Sequence, residues 1–257
     1  MTSRHGVRRP EGRAFLGGSF NPPHIGHFRL AIEIREALGD RISVLSLLPC
    51  ATPPHKEAAG LLPFDLRARM VESVARHLPG IDCDRREALR RGPSYTWDTL
   101  SDLRADHPDE TLFFILGSRD YEMLDSWYRG PRLPELCHLI VVPRASAADA
   151  DVLAATRRLW PDAAAIPPLF ADGASFNICG AATDKERQTF GLVHFLHIPW
   201  LPISASDIRR RWLAGRNTDF LLPETVADIL HEQASEVLKH WQTTEHKHAD
   251  NAPKRTA

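Results

Sequence analysis

Near its start the chain reads Phe15-Leu16-Gly17-Gly18-Ser19-Phe20-Asn21-Pro22-Pro23-His24-Ile25-Gly26-His27. The apolar residues before Gly17 predict the end of a buried strand, and the apolar spacing from Ile25 to Leu38 predicts a helix. Glycines at the end of a strand allow backbone conformations that are closed to other residues. The first turn of a helix has free N–H groups and a partial positive charge, so a strand, a glycine turn and a helix start form a cradle for an anion. The stretch therefore predicts a phosphate site.

The two histidines extend this prediction. His24 and His27 are three residues apart and project from one face of the predicted helix toward the glycine turn. The same spacing is also found in metal-binding pairs and in chance surface pairs. No Glu or Cys stands beside them as an obvious third ligand. The pattern thus favours phosphate over zinc, and no residue is assigned to a metal.

Composition limits the kind of protein this can be. A chain of 257 residues with 43% hydrophobic residues can bury a full core, either as one α/β domain or as one with a small addition. A net charge of −1 argues against a general nucleic-acid binder. The polar N-terminus and the lack of a long apolar run argue against export and membrane insertion. The cysteines are widely spaced without a Cys-x-x-Cys pair, which predicts a reduced, cytoplasmic protein; they are Cys50, Cys83, Cys137 and Cys179.

The rest of the chain alternates between short apolar runs and helical patterns. This order predicts the α/β class, with a doubly wound parallel sheet covered on both faces and ligands at the carboxyl ends of its strands. A single domain is expected over 14–242, with 145–191 as an insertion or lid-like segment and with 1–13 and 243–257 as disordered tails. The predicted strands are Ala14–Leu16, Ile42–Leu48, Ile81–Cys83, Thr111–Leu116, Leu139–Val142 and Leu192–Ile198.

A second motif follows the last predicted strand. Ser204-Ala205-Ser206-Asp207 is a capping box, with a serine at the N-cap and an acid three residues later. A cap alone explains every residue except Arg209, which lies about one turn into the helix. With Ser204 and Ser206, its guanidinium would form a second clamp for phosphate. Two clamps point to a nucleoside triphosphate.

Together these motifs resemble the two signatures of the nucleotidyltransferases related to class I aminoacyl-tRNA synthetases, the HIGH-type superfamily. Within it, further segments are similar to bacterial nicotinate mononucleotide adenylyltransferases. The resemblance implies a Rossmann-like sheet with a C-terminal helical part, and transfer of AMP from ATP to nicotinate mononucleotide. It also implies Mg²⁺ bound with ATP, and it leaves a homo-oligomer open. The similar segments are Pro53-Pro54-His55-Lys56, Gly92-Pro93-Ser94-Tyr95-Thr96-Trp97-Asp98-Thr99-Leu100, Phe114-Ile115-Leu116-Gly117 and Trp127.

The resemblance also assigns roles to individual residues. His24 and His27 would hold the ATP phosphates and stabilise charge at the α-phosphoryl group, and Arg209 would grip the departing pyrophosphate. Without the resemblance, Trp127 and Tyr95 are equally consistent with core aromatics. The implied nucleotide contacts are Gly17, Gly18, Ser19, Phe20, Asn21, Gly117, Asp120, Ser204 and Ser206, and the implied acceptor contacts are Lys56, Tyr95, Thr96, Trp127 and Tyr128.

One position departs from the family pattern. The family shows Gly-x-Asp after the fourth strand, whereas Arg119 stands in the place of that Asp here and Asp120 follows it. Two alternatives therefore stay open. One is a related transferase with another acceptor, such as nicotinamide mononucleotide or phosphopantetheine, and the other is a non-catalytic nucleotide-binding sensor. The Ser94-Tyr95-Thr96 and Trp127 features favour nicotinate, and the retained histidines and Arg209 favour an enzyme.

Overall fold

The structure, a computed structural model, describes residues 12–54, 60–143, 148–171, 173–178, 191–199 and 201–250. The strands are β1 Gly12–Gly18, β2 Val44–Pro49, β3 Ile81–Cys83, β4 Thr111–Gly117, β5 His138–Val142, β6 Ala164–Ile166, β7 Ser175–Asn177 and β8 Leu192–Phe195. The helices are α1 Ile25–Leu38, α2 Phe64–Ala75, α3 Thr96–Asp106, α4 Ser118–Glu122, α5 Ala148–Leu159, α6 Ala205–Leu213, α7 Glu224–Glu232 and α8 Ala234–Asp250.

The strands in the described part of the chain form one eight-stranded sheet in the order β3-β2-β1-β4-β5-β8-β7-β6. β1 pairs in parallel with β4, β4 with β5, and β5 with β8. The central strands are buried along almost their whole length, and all five residues of β5 are buried, as expected of parallel strands covered on both faces. The strand order reverses between β1 and β4, and α/β sheets bind ligands at such a reversal. The α/β prediction is confirmed, and the glycine turn leaves β1 at this point.

The sheet also contains antiparallel strands that the sequence analysis did not predict. β6 pairs antiparallel with β7, and β7 pairs antiparallel with β8. Both β6 and β7 belong to 145–191, where the sequence showed one helix and little regular pattern afterwards. Strands of three residues are too short to show a period of two. The described part of the insertion therefore extends the sheet at its edge.

Both ends of the expected 14–242 domain also differ from the structure. β1 begins at Gly12, which pairs with Thr111, so 12 and 13 belong to the sheet instead of a tail. A Cβ on Gly12 would lie 2.8 Å from the Arg41 and Thr111 carbonyl oxygens, so the tight pairing there needs glycine. At the other end α8 continues to Asp250, through residues predicted to be disordered. Residues 243–250 are polar but include no Gly or Pro, so nothing in them ends a helix.

The chain forms two compact units where the sequence predicted a single domain. The first, here the sheet unit, comprises the described residues within 1–16, 32–46 and 96–198. The second, here the motif unit, comprises those within 17–31, 47–95 and 199–257, and it holds both sequence motifs. In the motif unit, α2 and the C-terminal helices share one apolar core. That core consists of Leu62, Met70, Ile208, Leu222, Val226, Ile229, Leu230, Val237 and Trp241.

Two further findings concern the sequence-based exclusions. Within the described ranges, no helix is both long enough and apolar enough to cross a membrane. Cys50, Cys83 and Cys137 are free thiols, and burial raises the pKa of each to about 12. These three thiols are therefore protonated at neutral pH and poorly reactive.

Candidate active site

The glycine turn is shaped by a buried aromatic residue. Phe20 adopts a left-handed backbone conformation, with φ of 45°, and its side chain is only 1% exposed. A Cβ on Gly18 would lie 3.1 Å from the Phe20 ring, so the ring can pack here only because residue 18 is glycine. The edge of the same ring meets the His27 ring, with centroids 5.0 Å apart. Phe20 thus supports the turn and a histidine from below, and its side chain is a packing element.

The two histidines form a bonded pair at the start of α1. Their rings stack with centroids 3.7 Å apart, and the His24 N–H donates to Nδ1 of His27 over 3.1 Å. An Nδ1 that accepts a hydrogen bond carries no proton, so neutral His27 must carry its proton on Nε2. His24 is 7% exposed, whereas His27 is half-buried. His27 is therefore the ring that can offer an N–H donor to a ligand.

The start of α1 has fewer spare donors than the sequence analysis assumed. The Ile25 N–H donates to the Leu221 carbonyl over 3.0 Å, and the His27 N–H donates to the His24 carbonyl over 2.9 Å. One bond comes from a residue far away in sequence and the other from a local turn. The expectation of a row of free N–H groups is therefore wrong for these two residues, and the histidine side chains must carry more of any phosphate contact.

Arg209 joins the second motif to the first. Its Nη1 donates to the Asn21 carbonyl over 2.7 Å, and its Nη2 lies 3.3 Å from the Ser206 hydroxyl. Both acceptors are neutral, and no carboxylate in the described ranges lies within ion-pair distance of this guanidinium. Burial lowers the pKa of Arg209. A partly buried cation without a carboxylate partner is suited to receive an anionic ligand.

The predicted cap at the start of α6 is confirmed. The Ser204 hydroxyl accepts a hydrogen bond from the Asp207 N–H over 3.1 Å. The Asp207 carboxylate forms ion pairs with Arg210 and Arg211, at 3.1 and 2.9 Å. Two of the three consecutive arginines are thus paired on the exposed side of α6, while Arg209 points to the glycine turn.

Asn21 has a different role from the predicted nucleotide contact. Its amide donates to the Gly60 carbonyl over 2.7 Å and accepts from the Leu62 N–H over 3.1 Å. The side chain is 5% exposed, and both of these bonds go to the main chain. The amide therefore fixes the loop that ends at Leu62, and only the Asn21 carbonyl reaches toward Arg209.

Arg67 was missed by the sequence analysis. It is completely buried on α2 and donates to three main-chain carbonyls, one of them at Ser19 in the glycine turn. Its position on the same face as Met70 and Val71, at i+3 and i+4, is the signal that could have found it. A charged residue on an apolar helix face is worth a functional hypothesis because burying it requires compensating partners.

The predicted acceptor residues lie mostly in the sheet unit. Trp127 is half-buried and Tyr128 is 44% exposed, so neither is a core aromatic; the buried aromatic here is Trp97 at 9%. Two arginines cover the Trp97 ring, with Arg129 5.3 Å and Arg132 5.0 Å from its centroid. The remaining predicted residues in this unit are Thr96, the first residue of α3, Gly117, the last residue of β4, and Asp120, exposed on α4 like its neighbour Arg119.

Other predicted residues have a plainer outcome. Gly17, Gly18, Ser19, His24, His27, Ser204, Ser206 and Arg209 belong to the motif unit, as does the half-buried Tyr95. Lys56 lies outside the described residues. Among the residues that are described, no group of three or more His, Cys, Asp or Glu side chains could hold a metal ion. A cavity of about 460 Å³ between α2 and α7 is lined by other residues, Arg69, Ser73 and Thr225 among them.

The parallel sheet and the two bonded motifs define a nucleotidyltransferase, and the family model described as cytidylyltransferase-like matches residues 15–211. A Geobacter metallireducens protein named "Probable nicotinate-nucleotide adenylyltransferase" is 35% identical over 221 residues, covering 85% of this chain and 94% of that protein. A protein of the same name from Syntrophotalea carbinolica is 36% identical over 216 residues, covering 84% and 93%. The chain belongs to the nicotinate-nucleotide adenylyltransferase family.

A solved structure shares the fold. The nicotinic acid mononucleotide adenylyltransferase of Plasmodium falciparum, in complex with NaAD, superimposes with a TM-score of 0.60. The match covers 88% of this chain and 97% of that one at 18% identity. At this identity the likeness concerns the fold alone.

Proposed function

We propose that this protein transfers AMP from ATP to nicotinate mononucleotide, producing deamido-NAD and pyrophosphate in NAD biosynthesis. The relatives that share about a third of its residues carry the name of this activity. The observation that carries the proposal is the 2.7 Å bond from Arg209 to the Asn21 carbonyl, which joins motifs 188 residues apart. It places a guanidinium without a carboxylate partner in the same cluster as the histidine pair, as the binding of a triphosphate requires.

The proposed reaction needs no nucleophile from the protein. An oxygen of the acceptor's phosphate, already ionised at neutral pH, would attack the α-phosphorus of ATP, and the bond from that phosphorus to the pyrophosphate oxygen would break. Catalysis then consists of holding the groups in line and stabilising the charge that develops. The residues of the motif unit are suited to this work, since they offer hydrogen-bond donors and a cation.

In this proposal His27 donates its Nε2 proton to a phosphate oxygen. The support is the bond that its Nδ1 accepts from the His24 N–H, which fixes the tautomer. His24 lies stacked beneath it and is nearly buried, so its main effect is to orient His27. Arg209 is then the group on which the leaving pyrophosphate would build up its negative charge.

Magnesium is the metal we propose to accompany ATP. Mg²⁺ usually keeps several waters and binds through substrate phosphates and one or two carboxylates, so it needs no dedicated cage of side chains. It would supply charge neutralisation on the phosphates. The described residues contribute the donors around the phosphates, the His27 N–H and the Arg209 guanidinium, and these fit a metal carried by the nucleotide.

The acceptor side of the proposal rests on the sheet unit. Trp127 is half-buried and thus has ring surface available for stacking on the pyridine ring. The main chain at Thr96 and Tyr128 would meet the carboxylate, and Lys56 would attract the acceptor phosphate. Asp120 is proposed as the nucleotide contact in place of the family's Asp, since Arg119 occupies that position. We also propose a cytoplasmic location, in keeping with three free thiols.

The test is pyrophosphate release from ATP with nicotinate mononucleotide, run beside nicotinamide mononucleotide and phosphopantetheine, with the product identified by mass. Release confined to nicotinate mononucleotide, with deamido-NAD as product, is the expected result. Equal or faster release with another acceptor would assign a different transferase. Binding of ATP without release with any acceptor would contradict the proposal and favour the nucleotide sensor.

Omitting Mg²⁺, with EDTA present, should reduce release by at least about a hundredfold, because the phosphate charge is then left to the protein alone. Replacing it with Mn²⁺ should restore release. Undiminished release in EDTA would remove the metal from the proposal.

A further inference from the structure

Arg67 is a completely buried cation with no role in the mechanism above. It lies on α2, and its side chain is 0% exposed. Placing a charged group inside a protein costs several kcal/mol unless its donors are satisfied. Burial lowers the pKa of Arg67 to about 10, so the side chain is still charged at neutral pH. A buried charge kept in this way calls for an explanation in terms of what it holds.

The donors of Arg67 reach three separate segments of the motif unit. Nε donates to the Leu62 carbonyl over 2.8 Å, Nη1 to the Ser19 carbonyl over 2.7 Å, and Nη2 to the Ala51 carbonyl over 3.5 Å. All three acceptors are main-chain carbonyls, so the bonds fix backbone positions instead of pairing with another side chain. The planar guanidinium can serve three directions at once, which the single ammonium group of a lysine cannot do.

The same segments are tied to the glycine turn by further bonds. The Cys50 N–H donates to the Gly18 carbonyl over 2.9 Å, and the Ala51 N–H donates to the Glu87 carboxylate over 3.2 Å. Leu62 gives its carbonyl to Arg67 and its N–H to the Asn21 amide. The Arg67 guanidinium is therefore part of a network that includes Asn21, whose carbonyl holds Arg209.

The segment that Arg67 holds is also the strained one. Phe20, which follows Ser19, has a φ of 45°, a region that a bulky residue occupies only at a cost of about 1–3 kcal/mol. Such a conformation persists only when its surroundings fix it. The Arg67 bond to the Ser19 carbonyl fixes the peptide that leads directly into this conformation.

We propose that Arg67 is a positioning residue for the transfer reaction, holding the glycine turn, and through Asn21 the guanidinium of Arg209, in register with the nucleotide. It does not touch the substrate. The proposal rests on the proposed function, because the geometry it protects is that of phosphoryl transfer. A misplacement of about 1 Å can cost about a hundredfold in rate, so this role appears mainly in kcat.

Arg67→Met and Arg67→Lys test the proposal, with Arg69→Met as the matched control. Arg69 is on the same helix, but it is half exposed and its ion pair, at 2.8 Å, is with Glu232 on α7. Steady-state kinetics with ATP and nicotinate mononucleotide are measured well below the melting temperature of each variant. We expect Arg67→Met to lower kcat at least about thirtyfold with less than a threefold change in the KM for ATP. We expect Arg67→Lys to recover part of the loss, and Arg69→Met to stay within twofold of the wild type.

Amide hydrogen exchange of 17–23 supplies a readout that does not depend on turnover. Exchange in this segment should rise at least about tenfold in Arg67→Met and stay unchanged in Arg69→Met. A folded Arg67→Met protein with kcat within threefold of the wild type would overturn the proposal, as would a loss of kcat that only follows a loss of folded protein. If Arg67→Met does not fold, wild-type kcat and wild-type exchange in Arg67→Lys would overturn it instead. A wild type without transferase activity refutes the proposed function, and exchange then decides whether Arg67 fixes the turn.

Discussion

Replacing Arg209 by Gln removes the cation of the proposed phosphate cluster while keeping a side chain of similar length. We expect kcat/KM for pyrophosphate release to fall at least about a hundredfold, which corresponds to about 3 kcal/mol of transition-state stabilisation. The reason is that Arg209 bonds only to the Asn21 carbonyl and the Ser206 hydroxyl, so its charge is available to the leaving pyrophosphate. Arg209→Lys keeps the charge but loses the fork, and should fall between the two.

The same substitution should change stability little. The two neutral hydrogen bonds of Arg209 contribute about 1 kcal/mol each at most. Against this stands the cost of burying the guanidinium, which lowers its pKa. We expect these effects nearly to cancel, leaving the free energy of unfolding within about 1 kcal/mol of the wild type in a urea titration.

The control is Arg210→Gln, the next residue on α6. Arg210 is exposed and pairs with Asp207 at 3.1 Å, so its loss should change kcat/KM less than about twofold. Both variants are assayed by coupled detection of pyrophosphate at saturating nicotinate mononucleotide over a range of ATP concentrations. Retention of more than one fifth of wild-type kcat/KM in Arg209→Gln would refute the role given to this residue.

Three other predictions follow from single side chains. Trp127→Ala should raise the KM for nicotinate mononucleotide at least about tenfold while the KM for ATP changes less than twofold, and equal changes in both would exclude stacking on the acceptor. Burial, with a smaller contribution from neighbouring His138, lowers the pKa of His194 from its ordinary 6.5 to about 3, so only the unfolded chain binds that proton between these values. Stability should therefore fall below pH 6.5, by about 2 kcal/mol at pH 5; His194→Gln should flatten this slope in urea titrations, and an unchanged slope would contradict the assignment. Truncation after Gln242 should leave activity nearly unchanged, whereas Trp241→Ala, at a site 1% exposed in the helical core, should cost about 3–5 kcal/mol by calorimetry; a destabilising truncation would show that 243–250 supports the fold.

The sequence by itself determined the features that depend on neighbours a few residues apart. The alternation of apolar runs and helical patterns gave the α/β class, and the strand patterns at Thr111–Leu116 and Leu139–Val142 match β4 and β5 closely. The spacing of Ser204 and Asp207 predicted a cap that the structure contains. Each of these signals lies within one turn or one strand, where local backbone geometry decides the outcome.

Tertiary structure alone decided which groups meet. The Arg209 bond to Asn21 spans 188 residues, and the Arg67 bond to Ser19 spans 48. It also assigned the Asn21 amide to Gly60 and Leu62 and gave the Ile25 N–H a partner in Leu221. Sequence patterns predict which face of a helix is buried, but hydrogen-bond partners across such separations depend on how whole segments pack. The sequence therefore predicted the family and its motifs, while the network that holds the motifs together became visible only in the folded chain.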